Sequence, residues 1–378
     1  MTDLIELFEQ EFPVDSNLLY LNHAAVAPWP TRTGDAVRRF AAECVDMGAH
    51  DYPSWLDQER TLRVQLARQV NALSPEDIAL VKNTSEGLSM IAHGFPWHAG
   101  DNVVIAAGEF PSNRIVWESL SRYGVELRQV PLAHCEDPES ALLAAADDRT
   151  RLLSVSSVHY VTGLRLDLAH LGRQCRGRGI AFCVDAIQGL GVVPHDVQEM
   201  GIDFLASDAH KWMLGPEGIA VFYCSPHWRE RLTLHEYGWH MTDHPEDFDR
   251  LEWSAAASAR RFECGSPNML GIHAFAASLE LLEEIGLTEL EGRVLGHARL
   301  LMEGISANPR LELLTRNEPG RYAGIVSFRH RTIPSATLFR HLQEQRVVCA
   351  QRGGGIRLSP HAYHRTEVLE QVLDLIAL

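Results

Sequence analysis

A lysine stands directly behind a histidine where an apolar run ends, at His210 and Lys211 in "IDFLASDAHKWMLGPEG". Lysines normally lie on protein surfaces, but Trp212 and Met213 follow this one. A lysine that is held partly out of water has a lowered pKa and can form a Schiff base with a carbonyl group. The pattern therefore indicates a reactive lysine rather than a surface charge.

A carboxylate and an amide follow the preceding apolar run. Asp185 ends "IAFCVD", and Gln188 comes three residues later. Ligands of open parallel sheets bind beyond the carboxyl ends of the strands. An aspartate there can also simply cap the next helix. Together with Lys211, however, a carboxylate that keeps a pyridine nitrogen protonated meets the requirement of pyridoxal phosphate (PLP) chemistry, and Gln188 could donate to the ring phenolate.

The stretch "VKNTSEGLSMIAHGF" offers a place for a phosphate group. Thr84 and Ser85 stand before an apolar-periodic helix, whose N-terminal amides and dipole favour an anion. The alternative is an ordinary helix N-cap without a ligand. Only the lysine and the aspartate favour the phosphate site over that alternative.

Short apolar runs alternate with amphipathic stretches between about residues 74 and 224. The predicted strands are 101–107, 125–131, 151–158, 180–186 and 202–208. Helices are predicted at 112–123 and 168–178. This alternation predicts an α/β fold with a mostly parallel sheet between two layers of helices, and 218–224 is predicted to add an antiparallel strand.

The last hundred residues have a different pattern. They predict long helices, strands at 324–330 and 346–352, and a terminal helix, which together indicate a smaller α+β C-terminal domain. We expect residues 1–19 to pack with that small domain, residues 20–262 to form the large domain, and residues 263–378 to form a linking helix and the small domain.

The amino-acid composition excludes several classes of binding partner. The 34 basic and 50 acidic residues give a net charge of −16, which repels nucleic acid and anionic membranes. No apolar run marks a membrane span or a secretion signal. The seven cysteines form no CxxC pair, which favours a reducing compartment. A cytoplasmic protein that binds neither nucleic acid, nor a membrane, nor a metal is therefore expected.

Seven segments, in order along nearly the whole chain, resemble the class V aminotransferase family of fold type I PLP enzymes. This group contains cysteine desulfurases, selenocysteine lyases, isopenicillin N epimerase and kynureninase. The segments are "YLNHAAVAPWP" (20–30), "NTSEGL" (83–88), "EFPSNRIVW" (109–117), "VDAIQGLGVVPHDV" (184–197), "DAHKWMLGPEG" (208–218), "RRFECGSPN" (260–268) and "IRLSPHAYH" (356–364). The resemblance implies PLP as the cofactor and an amino acid as the substrate.

The same resemblance assigns roles to single residues. It makes Lys211 the internal aldimine lysine, Asp185 the partner of the pyridinium and Gln188 the donor to the ring phenolate. The residues implied to hold the phosphate are Thr84, Ser85, His210 and, reaching across from a neighbouring subunit, Ser266. The last of these implies a homodimer with shared active sites.

Further implied contacts concern the substrate and the face of the cofactor ring. Phe110 stands where an aromatic ring stacks on the cofactor, and it replaces a proton-shuttling histidine of the desulfurases. Arg357 matches the arginine that binds a substrate α-carboxylate through a bidentate contact. Asn22 and His23 are further substrate candidates, as are Trp239 and His240. The histidines of 235–244 lack the spacing of a metal site.

Two departures from the family pattern bear on the reaction. Desulfurases carry a nucleophilic cysteine shortly before the carboxylate-binding arginine, whereas here only "GGGI" separates Arg352 from Arg357. Cys349 lies nearby, but its strand-like surroundings predict a core thiol. In addition, Tyr160 takes a place near the ring oxygen that usually holds a polar amide.

The phosphate end departs from the pattern as well. Asp208 replaces a common phosphate-binding serine, and Ser207 is the alternative contact there. The expected function remains that of a cysteine desulfurase-like C–S lyase that works by β-elimination without a persulfide-forming cysteine. The alternatives are a class V aminotransferase, an amino-acid epimerase, and a PLP-binding scaffold without activity.

Overall fold

The computed structural model describes residues 4–15, 17–133 and 135–378. The helices are α1 (Leu4–Glu11), α2 (Thr31–Asp46), α3 (Tyr52–Gln69), α4 (Thr84–Gly94), α5 (Ser112–Glu118), α6 (Pro138–Ala144), α7 (Leu168–Arg178), α8 (Pro226–Arg229), α9 (Met269–Ile285), α10 (Leu287–Ala307), α11 (Ser335–Glu344) and α12 (Thr366–Ile376). The strands are β1 (Leu19–Tyr20), β2 (Ile78–Val81), β3 (Asn102–Ala106), β4 (Glu126–Val130), β5 (Thr150–Ser156), β6 (Ala181–Asp185), β7 (Phe204–Asp208), β8 (Ala220–Cys224), β9 (Leu311–Leu313), β10 (Val326–His330), β11 (Val347–Val348), β12 (Ala350–Arg352) and β13 (Gly355–Leu358).

The large sheet has the strand order β2-β8-β7-β6-β5-β3-β4. The pairs from β4 to β7 are parallel, and β8 runs antiparallel to both β7 and β2. The prediction of a mostly parallel sheet with one antiparallel strand is confirmed. Strand β2 was missed because its four residues, "IALV", are too few for a periodic signal.

Helices cover both faces of this sheet, which is why its inner strands are apolar throughout. Phe182 and Val184 of β6 pack on the face covered by α3, α7 and α9, whereas Cys183 between them faces the layer that contains α4. This alternation follows from the two-residue period of a strand. Of the helices in the described residues, none is long and apolar enough to cross a membrane.

A smaller antiparallel sheet, in the order β12-β13-β10-β9, packs against α10, α11 and α12. The strand predicted at 346–352 is divided at Cys349, because the chain changes partner there. Strand β11 pairs with β1 from the N-terminal segment, whereas β12 pairs with β13. The expected α+β character of this region is confirmed.

The N-terminal segment contacts both parts of the protein. Phe12 stacks on Tyr363 with their ring centroids 3.9 Å apart, and β1 joins β11. Leu7 and Phe8 of α1, however, belong to the apolar core under the large sheet. The domain boundaries at 19 and 262 stay a prediction, and part of the segment predicted to pack, residues 1–3 and 16, lies outside the described residues.

Candidate active site

A pocket of about 500 Å³ opens at the carboxyl edge of the large sheet. Strands β2, β6 and β7 run in the same direction, so the residues that follow them meet at this edge. The residues predicted from sequence that line this pocket are Thr84, Ser85, Phe110, Tyr160, Asp185, Gln188, His210, Lys211 and Arg357. Residues up to 273 positions apart in the chain therefore share one cavity.

Lys211 lies three residues beyond the end of β7, and only 8% of its surface is exposed. Burial lowers the pKa of Lys211 to about 8; Asp185 opposes this shift and Arg357 adds to it. The amine nitrogen lies 5.7 Å from the centre of the Phe110 ring. More of this amine is therefore unprotonated near neutral pH than in an ordinary lysine, as a nucleophile or base requires.

Asp185 ends β6 and is 2% exposed. One carboxylate oxygen accepts a hydrogen bond from the amide of Ile187 at 3.1 Å. Burial raises the pKa of Asp185 to about 6, while the nearby Lys211 opposes the shift. A cationic group that bound beside Asp185 would stabilise its charged form.

The amide of Gln188 has a fixed orientation. The indole of Trp212 donates to Gln188 Oε1 at 3.0 Å, and Gln188 Nε2 donates to the carbonyl of Ala24, also at 3.0 Å. Since the amide oxygen already accepts from an indole, the group that remains for a ligand is the second N–H of Nε2. This orientation agrees with the predicted role of Gln188 as a hydrogen-bond donor.

The start of α4 differs from the expectation. Asn83 caps this helix by accepting from the amide of Glu86, so Thr84 is its first residue. Thr84 donates from its amide nitrogen and its hydroxyl to Asp208 Oδ2, at 3.1 and 2.9 Å. The Thr84 donors predicted for a phosphate are therefore already engaged by a carboxylate within the chain.

Other polar groups at this end of the pocket remain open. His210 Nδ1 is buried, has no hydrogen-bond partner among the described residues, and lies 3.9 Å from Asp208 Oδ1. Ser85 is exposed at the pocket and donates its hydroxyl to Ser112. Of the two residues considered for the phosphate contact, Asp208 faces the pocket, whereas Ser207 is buried and donates to a backbone carbonyl.

Arg357 lies on β13 and is 2% exposed. Its Nη1 donates to the carbonyl of Tyr160 at 2.7 Å, while its Nε is buried without a partner. Burial, together with repulsion from Arg352, lowers the pKa of Arg357 to about 10. A buried guanidinium without a carboxylate partner is costly, so this position favours an anionic ligand.

The structure does not bring every predicted residue into the pocket. His23 is fully buried, and its two ring nitrogens are within 3.0 Å of the Ser359 carbonyl and 2.8 Å of the Tyr363 hydroxyl. Asn22 lies beside it and forms a bridge with Ser359. His23 and Asn22 do not line the pocket, because they pack between the N-terminal segment and the residues after β13, and their predicted contact with substrate stays a prediction. Ser266 is exposed and outside the pocket of its own chain.

His240 and Trp239 also lie elsewhere. His240 is buried with Glu59 and Glu263, and one ligand atom of each lies within 4.8 Å of the others. Arg63 donates to both glutamates, including a 2.7 Å hydrogen bond to Glu263 Oε2. Because Arg63 forms ion pairs with both carboxylates, we interpret the group as an ion-pair cluster.

Several charged residues at this site were not singled out from the sequence, among them Arg352 and Glu109. Arg352 lines the pocket beside Arg357. Glu109 is buried next to β5 and accepts hydrogen bonds from the amide and hydroxyl of Ser156, whose register partner is Asp185. Burial raises the pKa of Glu109 to about 7. Its position directly before Phe110 was the available signal for Glu109.

The pocket suits pyridoxal phosphate. A buried carboxylate and a lysine with a lowered pKa, Asp185 and Lys211, line the same cavity. The partnerless His210 Nδ1 and the exposed Ser85 at the start of α4 lie where an anion would bind. Asp208 is the carboxylate that contacts the start of α4, where its charge opposes a phosphate, and burial raises its pKa.

Comparisons with known proteins agree with this chemistry. The model of the family described as Aminotransferase class-V matches residues 19–367. A cysteine desulfurase of Yersinia pestis (strain Pestoides F) is 30% identical over 340 residues, which are 86% of this chain and 82% of that protein.

Solved structures share the whole fold. The cystine C–S lyase C-DES in complex with its reaction product, cysteine persulfide, has a TM-score of 0.90 at 24% identity, covering 97% of this chain and 99% of that one. The apo cysteine desulfurase of Thermococcus onnurineus NA1 has a TM-score of 0.89 at 22% identity, covering 100% and 98%. With the family match over most of its length, the chain belongs to the class V aminotransferase family of PLP-dependent enzymes and has their fold type I architecture.

Proposed function

We propose that this enzyme is a C–S lyase that removes the sulfur substituent of a cysteine-type amino acid by β-elimination. The observation that carries the proposal is that one pocket holds both Lys211, whose pKa is about 8, and the buried guanidinium of Arg357, whose Nε has no partner among the described residues. The first can move a proton and the second can hold an α-carboxylate. No cysteine is among the described residues that line this pocket.

The cofactor would be held by the groups around Lys211. Asp185 would pair with the pyridine nitrogen, Gln188 would donate to the ring oxygen, and Phe110 would lie against the ring. Ser85 and His210, with the start of α4, would hold the phosphate, and Thr84 would contribute through its contact with Asp208. When bound, pyridoxal phosphate supplies an electron sink for the pair of electrons that a departing Cα proton leaves behind.

Residues of the chain bind the substrate and move the proton. Arg357 binds the α-carboxylate and so orients the Cα–H bond. Lys211 accepts the Cα proton, because a pKa of about 8 leaves about a tenth of the amine neutral at pH 7. The Cβ–S bond breaks with its electron pair leaving on sulfur, which departs as a thiol, persulfide or sulfide. The aminoacrylate that is released then takes up one water molecule and hydrolyses to pyruvate and ammonia.

We infer that sulfur departs directly, without transfer to a cysteine of the enzyme, from the position of Cys349. Cys349 is 6% exposed, outside the pocket, and burial raises its pKa to about 12. A nucleophilic cysteine needs the opposite, an accessible thiolate. The relatives named cysteine desulfurase and cystine C–S lyase support sulfur chemistry, and the position of Cys349 favours the lyase.

A homodimer with shared active sites belongs to the same proposal. Ser266 is exposed outside its own pocket, which suits a contact to a neighbouring subunit. The stretch before it exposes large apolar side chains, among them Phe248, Leu251 and Trp253, which would be covered in a dimer. The free cysteines support a reducing compartment, and we propose the cytoplasm.

The test uses purified holoenzyme with cysteine, cystine, cysteine S-conjugates, alanine and aspartate. We expect the sulfur product and pyruvate to appear in equal amounts, with sulfide from cysteine, persulfide from cystine and thiol from the S-conjugates, together with a change in the visible absorbance of the cofactor. Keto acid without sulfur release, with the cofactor converted to its amine form, would identify an aminotransferase instead. Loss of optical rotation alone would identify an epimerase, and the absence of any spectral response would indicate a scaffold.

A further inference from the structure

A second arginine lines the same pocket. Arg352 ends β12, and Arg357 lies on the adjoining strand β13. We propose that Arg352 binds a second carboxylate at the far end of the substrate side chain, so that the enzyme acts on dicarboxylic sulfur amino acids. This inference rests on the proposed function, because it presumes that Arg357 holds the α-carboxylate.

The strand register places both guanidinium groups on one side of the hairpin. Ala350 pairs with Arg357, and Arg352 pairs with Gly355. Directly paired residues project to the same face, as do residues two apart on a strand. Arg352 and Arg357 are thus diagonal neighbours, about 7–8 Å apart at the backbone. Two long side chains that leave neighbouring positions on one face can each bind one carboxylate of an extended amino acid.

The hairpin that carries Arg352 is firmly placed. Gly353 and Gly354 form its turn with φ values of 54° and 78°, a backbone conformation that favours glycine. A Cβ on Gly353 would lie 2.2 Å from Val161 Cγ1, so the turn packs closely on the loop that contains Tyr160. Ser335 donates to the Gly354 carbonyl at 2.5 Å on the other side. The backbone of Arg352 is therefore fixed at the edge of the pocket.

The charge of the two arginines is uncompensated. Within the part of the chain that the structure describes, neither guanidinium forms an ion pair, and the hydrogen bonds they make go to the carbonyls of Gln351 and Tyr160. Lys82, another cation of the pocket, is by contrast paired with Glu86 at 2.8 Å. Repulsion by Arg352 contributes to the lowered pKa of both Arg357 and Lys211. Two anionic groups on one ligand would relieve this repulsion.

The two arginines differ in burial, and this difference separates their roles. Arg357 is 2% exposed, so its loss should weaken binding of every amino acid. Arg352 is exposed and is hydrated when no ligand is bound, so a substrate without a second carboxylate loses little. Arg352 should therefore determine which side chain is preferred rather than whether an amino acid binds.

The experiment compares S-carboxymethyl-L-cysteine with S-carbamoylmethyl-L-cysteine, which match in shape and differ in the distal charge. Dissociation constants come from titration of the cofactor absorbance in the holoenzyme, and kcat/KM comes from thiol release. The wild-type enzyme should prefer the carboxymethyl compound by about tenfold, the effect of one charged hydrogen-bonded contact. Arg352→Gln should abolish the preference by lowering the affinity for the carboxymethyl compound selectively. Arg340→Gln, which removes an exposed arginine of α11 outside the pocket, is the control.

The outcomes separate the two proposals. Equal affinity of the wild-type enzyme for both compounds, equal losses for both in Arg352→Gln, or failure of both to bind would overturn the assignment of Arg352. If both compounds bind but neither releases a thiol, the lyase function is wrong, and the ratio of the two dissociation constants still decides the role of Arg352.

Discussion

Two regions of this protein bury titratable side chains close to each other, and the two regions differ in whether the buried polar atoms have hydrogen-bond partners. One is the lysine pocket at the sheet edge. The other is a histidine junction formed by His23, His361 and His364 between the N-terminal segment and the residues after β13. Both regions adjoin Trp212, whose indole donates to Gln188 and whose carbonyl lies 3.3 Å from His361 Nε2.

In the histidine junction, hydrogen bonds match the neutral form of each ring. His364 Nε2 lies 2.6 Å from the carbonyl of Tyr20, and its Nδ1 accepts from the amide of His361. Burial lowers the pKa of His361 to about 3 and that of His364 to about 4. These groups are uncharged and partnered, so they contribute to folding.

In the lysine pocket, charged and polar groups keep atoms without partners. Arg357 Nε and His210 Nδ1 are buried with no hydrogen-bond partner among the described residues. Leaving such groups unsatisfied costs stability, which a ligand restores when it binds. Burial alone therefore does not identify a functional group. Buried polar atoms that lack partners and converge on one cavity do identify one.

Lys211→Ala should produce the largest effect. Without an amine to accept the Cα proton, activity should fall at least about a thousandfold, while the free energy of unfolding of the apo protein should not decrease, because a buried amine is costly. Measurement requires thiol release and chemical denaturation. Lys82 is the only other lysine of the chain, so borohydride reduction of the holoenzyme followed by peptide mapping should attach the cofactor at Lys211. Attachment at Lys82 would contradict the assignment.

Arg357→Gln should show the second largest effect. Loss of a buried charged contact to a carboxylate costs about 2–5 kcal/mol, so kcat/KM for every amino acid substrate should fall by about a hundredfold. The midpoint of unfolding of the apo protein should stay the same or rise, since a buried cation that forms no ion pair with the described residues is removed. Activity assays and denaturation of the same samples provide the check. A loss of stability with unchanged activity would mean that Arg357, like the residues of the histidine junction, contributes to folding and not to catalysis.

Acid should destabilise the fold in part through the histidine junction, where burial lowers the pKa of His361 and His364. The unfolded chain protonates histidines near pH 6.5, whereas folded His361 and His364 resist protonation until pH about 3 and about 4. Since the unfolded state binds more protons between these values, the free energy of unfolding should fall as pH decreases from 6.5 to 4, by about 1.4 kcal/mol per pH unit for each histidine.

Urea denaturation at several pH values measures this slope. His361→Gln should reduce the slope by the share of one histidine, and His98→Gln, at a site whose side chain is 85% exposed, should leave it unchanged. Equal slopes in all three proteins would mean that the junction is already protonated in the folded state.

Local sequence patterns predict only part of the fold and of the site. The strands and the residues that follow them, such as Asp185 and Lys211, depend on local patterns and were predicted. The bond between Thr84 and Asp208 joins residues 124 positions apart, and the burial of His23 depends on Ser359 and Tyr363. Such contacts form only when separate elements pack, so a sequence pattern could not indicate them. Arg352 was missed as a pocket residue for the same reason.

Cys349→Ala should have the smallest effect, and it tests the step that distinguishes a lyase from a desulfurase. Cys349 lies between β11 and β12 in the core of the small sheet, where burial raises its pKa to about 12. A thiol with that pKa is protonated at neutral pH and cannot attack sulfur. Removal of its sulfur should lower the free energy of unfolding by about 1 kcal/mol and change kcat/KM by less than about twofold. If activity disappeared instead, and mass spectrometry found a persulfide on Cys349 of the wild-type enzyme during turnover, then the small sheet would have to open during catalysis, and burial would no longer separate the structural groups of this protein from the reactive ones.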